Sequence, residues 1–133
     1  MTETVVAGLL LRHGRILLCH RAPERKNFPN VWDLPGGHVE DGETATDALT
    51  RELAEELGIG VDATSPRLWR TLRAEGVELH IYLVDQWWGE PCNIAPDEHD
   101  DIRWVDESAL DHLELAHRAL VVPLKDALAD HNG

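Results

Sequence analysis

The sequence predicts an α+β fold in which helices pack on a mixed β-sheet. Two pairs of apolar segments, each joined by a short turn, indicate β-hairpins. Two other segments space their apolar residues as a helix does. Because strands and helices do not alternate in a regular β-α-β rhythm, helices on a mixed sheet are expected rather than a doubly wound parallel sheet. We expect the 133 residues to form one domain, 1–133.

The first third of the chain supplies a hairpin and a short strand. Its segments are, in order, the strand Val5–Leu11, the turn 13–15, the strand Ile16–Cys19, the loop 22–30, and the strand Val31–Leu34, which stops at Pro35-Gly36-Gly37. Two prolines and two asparagines mark residues 22–30 as a loop.

A central helix is expected over Ala45–Leu57. Thr44 followed by Asp47 resembles a capping box, and Gly58 supplies a C-terminal stop. The leucines at 49, 53 and 57 form the stripe that docks the helix.

The rest of the chain predicts a second hairpin and a C-terminal helix. Its segments are the strand Arg67–Arg73, the turn Glu75-Gly76, the strand 78–85, the loop Gly89–Asp100, the strand Ile102–Val105, and a helix with Leu113, Ala116, Leu120, Leu124 and Leu128 on one face. Pro123 is expected to kink or restart that helix.

Composition argues against polyanionic partners. The chain has 25 acidic and 12 basic residues and a formal charge of −13, so nucleic acids and anionic membranes would be repelled. The N-terminal stretch lacks the features of a secretory signal, and no apolar run approaches a membrane span, so we expect a cytoplasmic protein. Cys19 and Cys92 suggest one buried and one incidental thiol.

Residues 37–59 are strongly acidic, with seven carboxylates and one basic side chain, Arg51. A helical wheel places Glu52, Glu55 and Glu56 within an arc of about 100° beside the leucine stripe. Two carboxylates ~5.5 Å apart repel by about 3 kcal/mol at an effective dielectric of ~20. One interpretation is a solvated face with an Arg51–Glu55 pair. The other is a divalent cation, since carboxylates and the carbonyls of WDLPGG offer the oxygen ligands that Mg²⁺ and Mn²⁺ prefer.

The same stretch resembles, position by position, the signature of the Nudix hydrolases. Gly37 is followed after five residues by Glu43, and after seven more by the run RELAEELGI, residues 51–59. WDLPGG, the hairpins and the closing helix extend the resemblance over almost the whole chain. It implies a Nudix-type α/β/α sandwich, a mixed sheet with helices on both faces. It also implies Mg²⁺-dependent hydrolysis of a nucleoside diphosphate linked to a further group, with Mn²⁺ as a substitute ion.

The resemblance also implies a role for individual residues. The implied metal ligands are the Gly36 carbonyl, Glu52, Glu55, Glu56 and Glu98. The implied catalytic residues are Glu52, Glu55, Arg51 and Glu98, with Arg51 orienting the glutamates. The implied substrate-binding residues are Arg21, Gly37, His38 and Trp87.

Several of these roles have a competing interpretation. The general base is Glu52 or Glu98, with Glu52 favoured, because other acids around Glu98 blur its assignment. Arg21 is equally well explained as a phosphate ligand or a surface charge. His38 is either a phosphate contact or, as is more usual for a lone histidine beside a glycine turn, an exposed side chain. Glu43 either supports the loop or is a helix-start acid favoured by the dipole.

The substrate prediction is a nucleoside triphosphate. Markers of the ADP-ribose, dinucleoside polyphosphate and coenzyme A branches are absent about fifteen residues past Ile59, and the compact chain looks MutT-like. The expected products are a nucleoside monophosphate and pyrophosphate, from an ordinary or an oxidised nucleotide. The alternatives are a nucleotide sugar or similar substrate, a non-catalytic nucleotide-binding module, and an RNA-processing enzyme. The sequence leaves a homodimer open.

Overall fold

The computed structural model describes residues 2–74 and 76–132. Glu75, half of the predicted turn Glu75-Gly76, lies outside the described residues. Two compact units are present: the first contains residues up to 10 and 35–94, and the second contains residues 11–34 and 95 onward. Within the described ranges, no helix is long and apolar enough to cross a membrane.

Within residues 2–74 and 76–132, seven strands and three α-helices follow one another. Their bounds are β1 Glu3–Arg12, β2 Arg15–Arg21, β3 Trp32–Asp33, β4 Gly36–His38, α1 Ala45–Leu57, β5 Arg67–Ala74, β6 Val77–Val84, β7 His99–Val105, α2 Glu107–Leu110 and α3 Val121–Asn132, with a 3₁₀ turn at Arg118–Leu120 before α3.

The first unit is built on a mixed sheet. β1 pairs in parallel with β6 and antiparallel with β4, and β5 pairs antiparallel with β6. α1 packs on this sheet at Gly8, where an added Cβ would lie 3.5 Å from Leu49 Cδ1. Leu49, Leu53 and Leu57 are fully buried, so the predicted leucine stripe docks the helix.

The ends of α1 follow the sequence closely. The Thr44 side chain accepts a hydrogen bond from the Asp47 N–H at 3.1 Å, which is the predicted N-cap. Gly58 adopts a left-handed conformation with φ 70°, and its N–H bonds to the Ala54 carbonyl.

The second unit contains β2, β3, β7 and the remaining helices. β2 pairs antiparallel with β3 and β7, and also with the last two residues of β1, which completes the predicted first hairpin. Its core includes Leu17, Leu18, Leu110 and Leu124.

The prediction of one C-terminal helix beginning near Leu113 was wrong. Leu113 and Ala116 precede the 3₁₀ turn, and the short helix α2 was not predicted. Asp106 caps α2 by accepting the Ala109 N–H. Pro123 is the third residue of α3, where its missing N–H costs no helical hydrogen bond, so the restart alternative applies.

Most strand ends lie within two residues of the predicted bounds, but two differences are larger. β7 begins at His99, three residues earlier than predicted, because its first residue pairs with Arg21 of β2. Gly36–His38 form β4 instead of only ending a strand, since they pair with Val5–Ala7 of β1.

Candidate active site

α1 presents its three clustered carboxylates at different depths. The Glu56 residue is 2% exposed, whereas the side chains of Glu52 and Glu55 are 13% and 59% exposed. Glu56 is buried because it lies one position before Leu57, at the margin of the docked leucine stripe. The helix therefore places one acid inside the protein and two at its edge.

Arg51 is the hub of the acidic cluster. Its Nε and Nη2 donate to the two oxygens of Glu43 at 2.9 and 3.0 Å. Its Nη1 donates to Glu52 at 2.9 Å and to Glu55 at 3.3 Å. The Arg51–Glu55 pair of the solvated-face interpretation is therefore present, but it is the longest of these contacts. One guanidinium thus offsets part of the repulsion among three carboxylates.

The Arg51–Glu43 pair shifts the pKa of both groups in the direction that favours their charged forms. The hydrogen bond to Glu43 is the largest cause that raises the pKa of Arg51 above its ordinary value. The same bond lowers the pKa of the Glu43 carboxyl, helped by a hydrogen bond from the backbone of the Glu40 turn. Arg51 also donates to the His38 carbonyl at 3.1 Å, which ties the loop before the helix to the cluster.

The two glycines of β4 fit closely against their neighbours. An added Cβ at Gly37 would lie 2.5 Å from the Cδ and Oε1 atoms of Glu52, so only glycine leaves room for this carboxylate. At Gly36 the added atom would lie 2.0 Å from the Val6 carbonyl oxygen. The Gly36 N–H donates to Glu56 Oε2 at 3.0 Å. The glycine pair therefore sets the positions of two glutamates.

Comparison with known proteins accounts for this arrangement. The family model described as NUDIX domain matches residues 1–125. The chain belongs to the Nudix hydrolase family. The nucleoside triphosphatase NudI of Enterobacter sp. (strain 638) is 33% identical over 85% of this chain and 88% of its own length. The 8-oxo-dGTP diphosphatase of Haemophilus influenzae is 35% identical over 87% of this chain and 90% of its own.

A solved structure supports the same assignment. The crystal structure of the MutT NUDIX hydrolase from Burkholderia pseudomallei matches with a TM-score of 0.73 and 31% identity, over 81% of this chain and 85% of that one. The predicted Nudix fold, a mixed sheet with helices, is confirmed, as is the predicted class of enzyme, a MutT-like Nudix pyrophosphohydrolase.

The donor set around α1 of this Nudix hydrolase fits a divalent metal ion, on which members of the family typically depend. All candidate ligands in the first unit are oxygens, from Glu52, Glu55, Glu56 and the Gly36 carbonyl, and this set suits Mg²⁺. The geometry also fits a metal site, because the Glu52 carboxylate lies close against Gly37, next to the Gly36 carbonyl.

Glu98 belongs to the second unit, in the turn that precedes β7. Its N–H donates to the Ala95 carbonyl at 2.9 Å, and its own carbonyl accepts from the Ala22 N–H at 3.0 Å and Arg25 Nη1 at 3.2 Å. These bonds fix its backbone. The predicted roles of its side chain as metal ligand and alternative base stay predictions.

His99, the next residue, is buried in the second unit. Burial lowers its pKa to about 4, and the nearby charges of Arg25 and Arg21 lower it in the same direction. The imidazole is therefore neutral at physiological pH.

Arg21 holds the loop 22–30. Its Nε and Nη2 donate to the Asn27 carbonyl at 3.1 and 2.8 Å, and its Nε also reaches the Phe28 carbonyl at 3.0 Å. The Arg21 side chain is only 15% exposed. Neither predicted interpretation, phosphate ligand or surface charge, included these hydrogen bonds to loop carbonyls. Its role in phosphate binding stays a prediction.

The other predicted substrate-binding residues lie in the first unit. His38 is exposed, as its alternative interpretation expects, and Nε2 of its ring lies 3.2 Å from Glu3 Oε2. Trp87 is half-buried. Of the other large aromatic side chains, Trp32 is buried, Tyr82 is half-buried, and Phe28 and Trp88 are 50% and 67% exposed.

Sequence reasoning missed Asp33. Burial is the largest cause that raises the pKa of its carboxyl, against the opposing charges of His117 and Arg21. Asp33 Oδ2 lies 3.8 Å from Arg21 Nη1. Nothing in WDLPGG distinguishes a buried acid from an exposed one, because the strand is only two residues long.

Proposed function

We propose that this Nudix hydrolase converts a nucleoside triphosphate, ordinary or oxidised, to a nucleoside monophosphate and pyrophosphate with the help of Mg²⁺. The observation that carries the proposal is its 33–35% identity, over most of both chains, to proteins named as a nucleoside triphosphatase and an 8-oxo-dGTP diphosphatase. Mn²⁺ would substitute for Mg²⁺ because both ions prefer the same oxygen ligands.

In this proposal the helix carboxylates hold the metal. Glu52 and Glu56 are the principal ligands, Glu55 completes the set, and the Gly36 carbonyl and Glu98 contribute further oxygens. A bound divalent ion would polarise the phosphate oxygens and lower the pKa of the attacking water. Arg51 keeps Glu52 and Glu55 in place through its hydrogen bonds at 2.9 and 3.3 Å.

Proton transfer is assigned to the Glu52 carboxylate. A carboxylate accepts several hydrogen bonds, so Glu52 can retain its bond to Arg51 while it takes a proton from water. As the new P–O bond forms, the bridging P–O bond between the α- and β-phosphates breaks and the products separate. Glu98 is the alternative base.

Substrate contacts are assigned to Arg21, Gly37, His38 and Trp87. The Arg21 guanidinium and the N–H groups of the His38 ring suit phosphate oxygens, and the Gly37 backbone approaches closely because it has no side chain. Trp87 offers an aromatic surface for the base. We further propose that the protein is cytoplasmic and that residues 1–133 form one domain.

A substrate panel tests the proposal. The purified protein is incubated with Mg²⁺ and nucleoside triphosphates, 8-oxo-dGTP, nucleotide sugars or ADP-ribose, and released pyrophosphate and phosphate are measured separately. Pyrophosphate from a triphosphate, abolished by chelator and restored by Mg²⁺ or Mn²⁺, is the expected result. Turnover of nucleotide sugars alone would contradict the substrate assignment, and nucleotide binding without turnover would favour a non-catalytic module.

A further inference from the structure

Residues 87–94, which we call the strap, run past the C-terminal end of α1. The Cys92 N–H donates to the Leu57 carbonyl at 3.0 Å, and the Ile94 N–H donates to the Glu56 carbonyl at 3.1 Å. The last four carbonyls of a helix have no acceptor role within the helix itself. The strap therefore supplies donors to two carbonyls of the helix that carries the acidic cluster.

The strap is held to the chain segment just beyond α1. Gly60 and Trp88 exchange two backbone hydrogen bonds, of 3.0 and 2.9 Å. An added Cβ at Gly60 would lie 3.3 Å from Trp88 Cε3, and one at Gly58 would lie 3.4 Å from Ile94 Cδ1. The two glycines allow the strap to approach this closely.

Main-chain hydrogen bonds tie the strap to the last turn of α1. Trp88 and Ile94 are 67% and 53% exposed, whereas Pro91 between them is buried. α1 has no basic residue in its last turn that could satisfy its carbonyls instead. A change that removes one N–H should therefore loosen the helix end directly.

Glu56 is held at two points by these contacts. Its carbonyl accepts from Ile94, while its carboxylate accepts from the Gly36 N–H at 3.0 Å. Mg²⁺ demands near-ideal octahedral geometry with ligands at about 2.0–2.1 Å, so a shift of a ligating carboxylate by a fraction of an ångström weakens binding. The backbone of Glu56 must be fixed as firmly as its side chain.

We propose that the strap is a positioning element for the metal site, and that the Ile94 N–H sets the location of Glu56 through its carbonyl. The inference rests on the proposed function, in which Glu56 is a metal ligand. In this role the strap touches neither substrate nor metal. It acts on metal binding by holding the backbone of Glu56 at the end of α1.

Mn²⁺ binding without nucleotide tests the inference, with free Mn²⁺ measured by electron paramagnetic resonance. Ile94→Pro removes the N–H, whereas the matched control Ile94→Ala removes most of the side chain and keeps the N–H. We expect Ile94→Pro to weaken Mn²⁺ affinity by about tenfold or more, as loss of a supporting partner does at other metal sites, and Ile94→Ala to change it by less than about twofold. Equal affinities for the two variants would overturn the inference.

Glu56→Gln separates this inference from the proposed function. If Glu56→Gln weakens Mn²⁺ binding and Ile94→Pro does not, the strap has no positioning role but the metal assignment stands. If Glu56→Gln binds Mn²⁺ as tightly as the unaltered protein, Glu56 is not a ligand and both proposals fail.

Hydrogen exchange in the unaltered protein provides a second measurement that does not depend on whether Ile94→Pro folds. Saturating Mg²⁺ should slow exchange of the Cys92 and Ile94 amides by at least about threefold. Bound metal stabilises the state in which these amides are hydrogen-bonded to the end of α1. The Thr64 amide, bonded to Asp62 Oδ1 at 2.9 Å, is the control and should not change. Unchanged exchange at Ile94 would count against the strap as a positioning element.

Discussion

Two acidic regions of this Nudix hydrolase are organised differently. On α1, Glu52 and Glu55 share Arg51, and Glu52 also lies against Gly37. In the segment 97–101, by contrast, Asp101 pairs with Arg103 at 2.9 Å and Asp100 with His20 at 2.5 Å. The segment has four acids in five residues, whereas α1 has four in thirteen. On α1, however, two carboxylates share one guanidinium. The shared guanidinium and the contact with Gly37 distinguish the α1 acids from Asp100 and Asp101, which pair separately. Glu98 of the same segment keeps its proposed role as a ligand.

The sharpest test of this contrast exchanges one acid in each region for its amide. Glu52→Gln should lower kcat by roughly 10²–10⁴-fold, the range typical for loss of a general base, while the melting temperature changes little. Asp101→Asn should leave kcat within about twofold, because its carboxylate pairs only locally with Arg103. Steady-state kinetics with the preferred triphosphate measures both. Full activity in Glu52→Gln would refute the assigned role of α1.

A smaller effect is expected from moving the carboxylate without removing it. Gly37→Ala would place a Cβ 2.5 Å from Glu52 Cδ, and we expect about a 100-fold loss of kcat because the carboxylate must shift by roughly 1 Å. Gly76→Ala is the control, since φ at Gly76 is 76° and, among the described residues beyond its chain neighbours, no atom lies within 4 Å of the added Cβ. It should cost about 1 kcal/mol of stability and no activity. Similar kcat values for the two variants would show that Glu52 tolerates displacement.

The smallest effect concerns stability and pH. Because the folded-state pKa of Glu43 is lowered by Arg51, its stabilising contribution is complete above the unfolded pKa and is lost as the pH falls through the folded pKa. Glu43→Gln should therefore lower the melting temperature by about 1–3 °C at pH 7 and by less at pH 3. Thermal melts at both values measure the change. Glu40→Gln, at an exposed acid 3.8 Å from Arg51, should show a smaller difference, and a pH-independent loss in Glu43→Gln would contradict the role of the ion pair.

Local sequence rules predicted much of this fold. The bounds of α1 were predicted to the residue, because Thr44 and Gly58 form its caps through their own side chain and backbone. The C-terminal helix was predicted poorly, because Leu113 and Ala116 are apolar residues at helical spacing that belong to a loop. The Trp32 N–H donates to the Glu114 carbonyl in that loop, and such long-range pairing leaves no periodic signal.

The candidate site likewise has residues that a short motif predicts and contacts that it does not predict. The Nudix signature identified Arg51 and the three glutamates, and the structure gathers Arg51, Glu52 and Glu55 by hydrogen bonds. The contacts of Arg21 with loop carbonyls, the burial of Asp33 and the strap depend on how the chain returns to itself, so no short motif encodes them. The assigned roles of the site residues stay predictions.

The neighbouring glycines 36 and 37 would look alike in a mutational scan that scores activity alone. At Gly36 any side chain collides with the main chain of Val6, so variants there should be lost from the cell as unfolded protein. At Gly37 the obstacle is a flexible carboxylate, so variants should accumulate at normal abundance and fail only in turnover. Measuring both abundance and activity would separate Gly36, which is required for folding, from Gly37, which is required for turnover.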